Sequence, residues 1–188
     1  MVEIHPLTPN RWDDLTTLFG RRGAYGGCWC MYFRITGREF TAGAGAVNRA
    51  SLKSLVEDGR PTGLLAYADD TPVGWVALTP RADLGRLRRS PLRQGDPADP
   101  RVWSIPCLYV ARGERGAGLT HELVAAACAH ARRQGASVVE AMPLRERGRR
   151  DAAELYVGTR TLFAAHGFTV AAEPKAAPSR LVMRKEFT

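Results

Sequence analysis

The sequence predicts a mixed α/β (α+β) domain, built on a central, mostly antiparallel sheet of about seven strands flanked by about four helices. Three observations support this fold class. Short apolar runs of strand length recur along the chain, and four longer segments have helical periodicity. One of those helices lies between two buried strands, which indicates a single parallel crossover. The 188 residues suit one domain, and no internal repeat suggests a second.

Local patterns set the limits of each predicted element. Thr8-Pro9-Asn10 is a helix start, and the glycines of residues 20–27 end that helix. We therefore predict, in chain order, a strand at 2–7, a helix at 8–19, a helix at 46–57, hairpin strands at 64–67 and 73–78, a strand at 102–110, a helix at 119–133, a strand at 137–142, a helix at 155–165, and strands at 168–172 and 181–187.

The charge of the chain favours anionic partners. Arginine supplies most of a formal net charge of +8, with five arginines in residues 81–93 and four in residues 145–150. Neither cluster alternates with aromatic residues as an RNA-stacking surface does, so nucleic acid is a disfavoured partner, although not an excluded one. A solvated basic face is the plain alternative. Residues 80–100, rich in arginine and proline, are predicted to be a long excursion of functional use.

The chain has no signal-peptide pattern at its start and no apolar stretch long enough to span a bilayer. We therefore expect a cytoplasmic protein that makes no use of a membrane. The four cysteines, Cys28, Cys30, Cys107 and Cys128, are too unevenly spaced for a disulfide framework. No second close pair joins Cys28 and Cys30, so free thiols and no metal are predicted.

The most informative segment joins the strand at 102–110 to the helix at 119–133 through Arg115, Gly116 and Gly118. Backbone N–H groups at a helix start lack intrahelical partners, the helix dipole adds positive potential there, and glycines let an anion approach. The segment therefore predicts phosphate or pyrophosphate binding. It is not a P-loop, and His121 replaces the third glycine of a dinucleotide fingerprint. A tight strand–helix turn without a ligand is the alternative.

The run Arg115-Gly116-Ala117-Gly118-Leu119-Thr120 resembles the Q/R-x-x-G-x-G/A motif of the GNAT superfamily of N-acetyltransferases. It departs from the motif at Thr120. The resemblance extends from residue 102 to residue 168: Val110 ends the preceding strand as in the family, and Gly167-Phe168 matches its frequent closing Gly-Phe. Cys28-Trp29-Cys30-Met31 is similar to a signature of a smaller, poorly characterised branch.

This resemblance implies an enzyme, an acyltransferase that moves an acetyl group from acetyl-CoA to an amine by direct attack. The CoA pyrophosphate would rest on residues 115–120, and the backbone of Leu108, Tyr109 and Val110 would bind the pantetheine arm and polarise the thioester carbonyl. The family's usual acid is a tyrosine four residues before the closing Gly-Phe. Phe163 stands there, so it joins the cofactor-binding set, and Tyr156 is the candidate replacement acid.

A base or an apolar pocket is also needed, because a primary amine with a pKa near 10.4 is only about one part in two thousand neutral at pH 7. Ser104 occupies the position where some relatives have a glutamate base, and it could order a water. Glu140 is the one carboxylate in an otherwise apolar strand. We predict that it is a base or an amine anchor; a buried ion pair with an arginine is the alternative.

The aromatic residues that follow the first helix are the predicted acceptor wall, since this region lines the acceptor site in the family; core packing is the alternative. The substrate-binding candidates are Trp29, Tyr32, Phe33 and Trp103. The predicted acceptor is a small-molecule amine, and the protein a monomer or homodimer. Alternative functions are acetylation of a protein or aminoacyl-tRNA amine, and non-catalytic binding of acyl-CoA by a regulator.

Overall fold

The computed structural model describes residues 2–145 and 154–187. Its strands are β1 (Val2–Pro6), β2 (Gly63–Ala68), β3 (Thr71–Ala77), β4 (Thr79–Pro80), β5 (Val102–Ile105), β6 (Leu108–Val110), β7 (Val138–Ala141), β8 (Thr169–Ala172) and β9 (Val182–Glu186). Its α-helices are α1 (Trp12–Phe19), α2 (Gly37–Ala42), α3 (Ala46–Glu57), α4 (Leu119–Arg133) and α5 (Arg160–Ala164). Short 3₁₀ turns cover Pro9–Arg11, Arg81–Asp83, Leu87–Arg89, Arg112–Glu114 and Glu154–Val157.

The strands form two sheets in the orders β1-β2-β3-β6 and β4-β5-β7-β9-β8. Every pair of neighbouring strands is antiparallel except β5 and β7. The two sheets meet end to end, since the Ala77 N–H donates to the Cys107 carbonyl at 2.9 Å. The predicted fold class, a mixed and mostly antiparallel sheet with one parallel crossover, is confirmed.

The strand predicted at 102–110 is divided into β5 and β6 by one extra residue. The β3–β6 register pairs Val76 with Leu108, whereas β4–β5 pairs Thr79 with Ser104, so three steps on one side face four on the other. Pro106 lies in the longer side and has no N–H to give to the ladder. The result is a β-bulge, which bends the strand and redirects β6 relative to β5.

Helices cover both faces of the sheet. The helix α4 packs on β2, β3 and β6 over the largest apolar cluster, and α1 packs against β3 on the opposite face. The predicted apolar side of α1 is confirmed, because its buried residues are Trp12, Leu15, Leu18 and Phe19. The limits predicted for the helices at 46–57 and 119–133 match α3 and α4.

Two predictions about helices need correction. Sequence reasoning missed α2, which begins with a capping box: the Thr36 hydroxyl accepts from the Glu39 N–H, and the Glu39 carboxylate accepts from the Thr36 N–H. The helix predicted at 155–165 is broken at Gly158, whose φ is +73°. Thr159 then caps α5 by accepting a hydrogen bond from the Leu162 N–H. No helix within the described ranges has the length and apolar character needed to cross a membrane.

Candidate active site

A cleft opens where two parallel strands part. β5 and β7 lie side by side from the pair Val102–Val138 to the pair Ile105–Ala141. Beyond this point β6 pairs only with β3 in the described part of the chain, while Leu144 forms bridges to Thr159 and Arg180. The Pro106 bulge stands at the parting point. Ligands commonly bind at the carboxyl ends of parallel strands that separate in this way.

The strand β6 turns alternate backbone groups toward this cleft. The β3 ladder bonds the Cys107 carbonyl at one end and the Ala111 N–H at the other, so Tyr109, midway between them, also faces β3. The N–H and C=O groups of Leu108 and Val110 therefore point to the opposite edge, where β7 has turned away. A ligand in the cleft could pair with the N–H groups of Leu108 and Val110 as an extra strand does; the Val110 carbonyl already accepts from Arg115.

The glycine loop (residues 115–120) lies at the end of β6. Gly116 and Gly118 have φ values of +86° and +85°, both are exposed, and no atom lies within 4 Å of where their Cβ atoms would be. The helix α4 starts at Leu119 without a side-chain cap. Ala117 is exposed, whereas the Leu119 side chain is buried and only its backbone is available. The loop thus has room for an anion beside the N–H groups of the helix start, and anion binding there stays a prediction.

Arg115 connects the glycine loop with the cleft. Its Nε donates to the Val110 carbonyl at 3.1 Å, and its positive charge acts on the nearby Tyr156 hydroxyl. The Tyr156 ring lies 5.8 Å from that of Tyr109 and 5.9 Å from that of Tyr25. Burial raises the pKa of Tyr156, and Arg115 only partly offsets this. The phenol therefore keeps its proton at neutral pH.

The structure adds Tyr25 and Cys107 to the residues selected from the sequence. Tyr25 is 58% exposed in the glycine-rich loop that follows α1. The thiol of Cys107 contacts that of Cys30, and this hydrogen bond, together with burial, raises the pKa of Cys30. The Trp75 indole N–H donates to the Cys30 sulfur at 3.2 Å. Cys30 is therefore a core thiol. In the sequence, the feature that could have identified Tyr25 as a site residue was an aromatic side chain beside several glycines.

Glu140 lies in a buried triad with two arginines. The carboxylate is 1% exposed, and its Oε1 accepts from Arg81 Nη1 at 2.9 Å and from Arg184 Nη2 at 2.7 Å. Arg81, 2% exposed, also donates to the carbonyls of Gln94 and Asp96 in the excursion. This geometry corresponds to the ion-pair alternative and not to a base that an acceptor can reach.

Ser104 is the neighbour of Glu140 on β5 and is fully buried. Within the described residues its hydroxyl has no hydrogen-bond partner. Both residues lie where β5 and β7 are still paired, before the cleft begins. Their assignment as catalytic groups is therefore corrected: strand pairing and the excursion seal them from an acceptor.

Several predicted ligand contacts are core residues in the structure. Trp29, 4% exposed, packs against Trp12 and Phe19, and Trp103, 5% exposed, faces His130 of α4. Phe163 is fully buried against Phe168. These rings pack among other core side chains and leave almost no surface for a ligand.

Tyr32 and Phe33 instead line a cavity of about 220 Å³, which we call the arginine pocket. Tyr32 is 38% exposed, and Phe33 is buried at the cavity wall. The pocket is formed by the segment after α1, the excursion and the β8–β9 loop; its lining residues are Tyr32, Phe33, Arg86, Ser90, Pro91, Leu92, Ala177 and Arg180. Sequence reasoning selected neither Arg86 nor Arg180; Arg86 lies in an arginine-rich run, which is usually a solvated face.

The comparisons with known proteins agree with this geometry. No curated protein matches the chain. Among solved structures, PaiA N-acetyltransferase from Thermoplasma acidophilum in complex with coenzyme A is 14% identical, with a TM-score of 0.58 over 100% of this chain and 99% of that one. Ribosomal-protein-alanine N-acetyltransferase from Brucella melitensis is 18% identical, with a TM-score of 0.58 over 98% and 99% of the two chains.

A third structure, N-acetyltransferase from Staphylococcus aureus Mu50, is 11% identical, with a TM-score of 0.58 over 99% and 98% of the two chains. Likenesses at such identities establish a shared fold. The model of the acetyltransferase (GNAT) family matches residues 29–158, which is more than half of the chain. This protein therefore belongs to the acetyltransferase (GNAT) family, as the glycine-loop motif predicted.

Proposed function

We propose that the protein transfers the acetyl group of acetyl-CoA to the amine of a small molecule. The observation that carries this proposal is the parting of β6 from β7, which leaves the N–H groups of Leu108 and Val110 facing the cleft, while the Val110 carbonyl accepts from Arg115. A pantetheine arm, with its amide groups, could pair with these edges. The fold is shared with a solved PaiA N-acetyltransferase that holds coenzyme A, which supports this choice of donor.

The glycine loop would hold the pyrophosphate of the donor. The N–H groups of residues 116–120 and the start of the 15-residue helix α4 together favour an anion. Arg115 adds a fixed positive charge at the same end of the cleft. The fit is reasonable because Gly116 and Gly118 leave the approach open, with no Cβ in the way.

The Leu108 N–H would stabilise negative charge on the thioester oxygen during attack. As the new N–C bond forms, the C–S bond breaks and its electron pair leaves with sulfur. Tyr156 would give its phenolic proton to this sulfur, the proton that the amine loses would pass to water, and the phenolate would then regain a proton from water. Burial keeps the Tyr156 phenol protonated for this role.

The acceptor amine must lose a proton before attack, and the buried triad offers no accessible base. Positive surroundings can do part of this work, because nearby cations lower the pKa of an ammonium group. Arg115 lies by the cleft, and Arg86 lines the arginine pocket. We therefore propose that an aromatic, cationic acceptor site favours the neutral amine, with water as the proton acceptor.

A thiol-release assay tests the proposal. Acetyl-CoA is incubated with the protein and a panel of small amines, and free CoA is measured as it forms. We expect saturable release of CoA with at least one amine. The mass of that amine should rise by about 42 Da, which corresponds to one added acetyl group. CoA binding without transfer to any amine would support a regulator, and absence of CoA binding would refute the proposal.

A further inference from the structure

Tyr25 is a large aromatic side chain that keeps more than half of its surface exposed. The exposed fraction is 58%, although the ring already contacts that of Tyr156, with 5.9 Å between the two ring centres. A single exposed apolar residue is common in proteins and has no special meaning by itself. Tyr25 differs in its position, because its neighbour Tyr156 lies beside Arg115 at the cleft. The exposed ring therefore borders the candidate active site.

Three tyrosine rings form a row that ends at Tyr25. The ring centre of Tyr109 in β6 is 5.8 Å from that of Tyr156, and Tyr156 is 5.9 Å from Tyr25. Both pairs are tilted, within the range of distances at which aromatic rings attract each other. We call these three residues the tyrosine row. It begins on the strand whose Leu108 and Val110 N–H groups face the cleft, and it ends at a ring with free surface.

The loop that carries Tyr25 is fixed by hydrogen bonds on both sides of the ring. The Gly27 carbonyl accepts from the Gly45 N–H at 3.0 Å and from Nδ2 of the fully buried Asn48 at 3.1 Å. Gly27 has a φ of +74°, and a Cβ there would overlap the backbone of Gly45. The Tyr25 carbonyl accepts from the Cys28 N–H at 2.9 Å. Because the loop is already ordered, a ligand that stacks on Tyr25 has little ordering cost to offset.

Tyr25 also lines a cavity of about 530 Å³. Much of the described wall of this cavity has a small side chain or none, at Gly26, Gly27, Ala44 and Gly45. Arg21 and Arg22 complete the described lining, and guanidinium groups stack on flat aromatic rings as well. The space beside Tyr25 is therefore suited to a flat ring.

We propose that Tyr25 binds an aromatic ring of the acceptor, so that the protein acetylates amines that carry such a ring. This inference rests on the function proposed above. A ring packed against Tyr25 extends the tyrosine row by one member, and its amine then lies on the side of Tyr156 and the cleft. An aliphatic group would also bury apolar surface there, but two aromatic rings gain additional energy from their relative geometry. Tyr25 is thus a specificity residue that contacts the acceptor away from the reacting atoms.

The test compares two pairs of amines, each with an aromatic ring in one member and a saturated ring in the other: benzylamine with cyclohexylmethylamine, and 2-phenylethylamine with 2-cyclohexylethylamine. Thiol release gives kcat/KM for each amine. The members of a pair also differ in amine pKa, so the quantity compared is the change in their kcat/KM ratio when Tyr25 is replaced. Tyr25→Leu keeps an apolar side chain but removes the ring, and it should lower the aromatic-to-saturated ratio by roughly 3- to 10-fold.

Two further variants serve as controls. Tyr25→Phe retains the ring and should keep the ratio. Val47→Ala changes an apolar side chain of α3 that is 62% exposed, and it should alter neither the ratio nor kcat/KM. A ratio that is unchanged in Tyr25→Leu, or an equal loss for all four amines, would overturn the inference. Transfer only to aliphatic amines such as hexylamine would overturn it as well.

A second measurement does not depend on turnover. The N-acetyl products of each pair, which have no ionisable amine, are titrated into the wild-type and Tyr25→Leu proteins saturated with CoA, with melting temperature as the control for folding. Tighter binding of the aromatic product that is lost in Tyr25→Leu supports the inference. Equal binding of the two products, or a preference that survives Tyr25→Leu, would overturn this inference alone. Failure to bind CoA, or to transfer acetyl to any amine, would instead overturn the proposed function.

Discussion

The glycine loop and the buried triad are both charged regions, but they differ in whether their polar groups are exposed and whether they are already paired. In the loop, Arg115 and the glycines are exposed, and the backbone N–H groups at the start of α4 can still donate hydrogen bonds to a ligand. In the triad, Glu140 and Arg81 are almost fully buried and paired with each other. Chemistry-bearing residues in a sequence therefore need a second criterion, which is whether their polar groups still have free capacity.

The triad has a structural role, which is to hold the excursion against the sheet. Burying the ions of Glu140 and Arg81 is costly, and the attraction between opposite charges offsets this only when the geometry is good. Arg81 adds hydrogen bonds to the carbonyls of Gln94 and Asp96, which tie the excursion to the sheet. The same excursion carries Arg86 and Leu92 to the arginine pocket. The triad thus holds in place the excursion that lines the arginine pocket.

The largest expected effect is on stability. Glu140→Ala leaves two cations without their shared partner, one of them buried, and should lower the free energy of unfolding by about 3–5 kcal/mol. Glu173→Ala, which breaks a more exposed pair with Arg145, should cost at most about 1 kcal/mol. Urea unfolding monitored by fluorescence measures both. A stable Glu140→Ala protein that has lost only turnover would return Glu140 to a catalytic role.

The second effect is on donor affinity. Gly118→Asp places a carboxylate where the pyrophosphate is expected and should weaken CoA binding by roughly 100-fold through charge repulsion. Gly135→Asp is the matched control, because Gly135 ends the same helix with a φ of +86° and equally open surroundings. Calorimetric titration should show near-normal affinity in that control. Equal losses in the two variants would mean that backbone strain, not the loop site, explains the result.

The third effect concerns Tyr156. Tyr156→Phe should lower kcat by about 10-fold, less than is usual for acid catalysis, because a thiolate leaves with little help. Since the pKa of Tyr156 is raised, the wild-type rate should fall only at alkaline pH, as the phenol loses its proton. The Phe variant should lack this alkaline fall. A pH–rate profile that is unchanged in the variant would exclude Tyr156 as the proton donor.

The smallest effect is on acceptor binding. Tyr32→Ala removes the ring beneath Arg86, and a cation–π contact of about 0.5–1 kcal/mol corresponds to a rise in acceptor KM of roughly 2- to 5-fold. Tyr32→Phe retains the ring and should bind the acceptor normally. Steady-state kinetics at saturating acetyl-CoA distinguishes them. A rise in KM in the Phe variant as well would assign the effect to the hydroxyl.

Features that depend on neighbouring residues could be predicted from the sequence. The limits of α4, the buried side of α1 and the glycine loop all result from local spacing. The helix α2, which was missed, could also have been predicted, since Thr36 and Glu39 form a capping box. The division of the strand at 102–110 could also have been anticipated from Pro106.

Features that depend on distant partners could not. Glu140 meets Arg81 and Arg184, which are 59 and 44 positions away, so the sequence alone left its role open between base and ion pair. Trp29 and Tyr32 are both aromatic and only three residues apart, yet one packs in the core and the other faces a cavity. Only tertiary packing decides which side chain retains free surface.

Amide hydrogen exchange with and without CoA tests the central claim most directly, because it reports on the cleft and the triad in one experiment. CoA should slow exchange at the amides of Leu108, Val110 and residues 116–120, since these N–H groups gain partners when the donor binds. Exchange in β7 and β9, which hold the triad, should change little. Protection confined to β7, β9 and the excursion, with none in residues 108–120, would contradict the assignment of the cleft as the donor site.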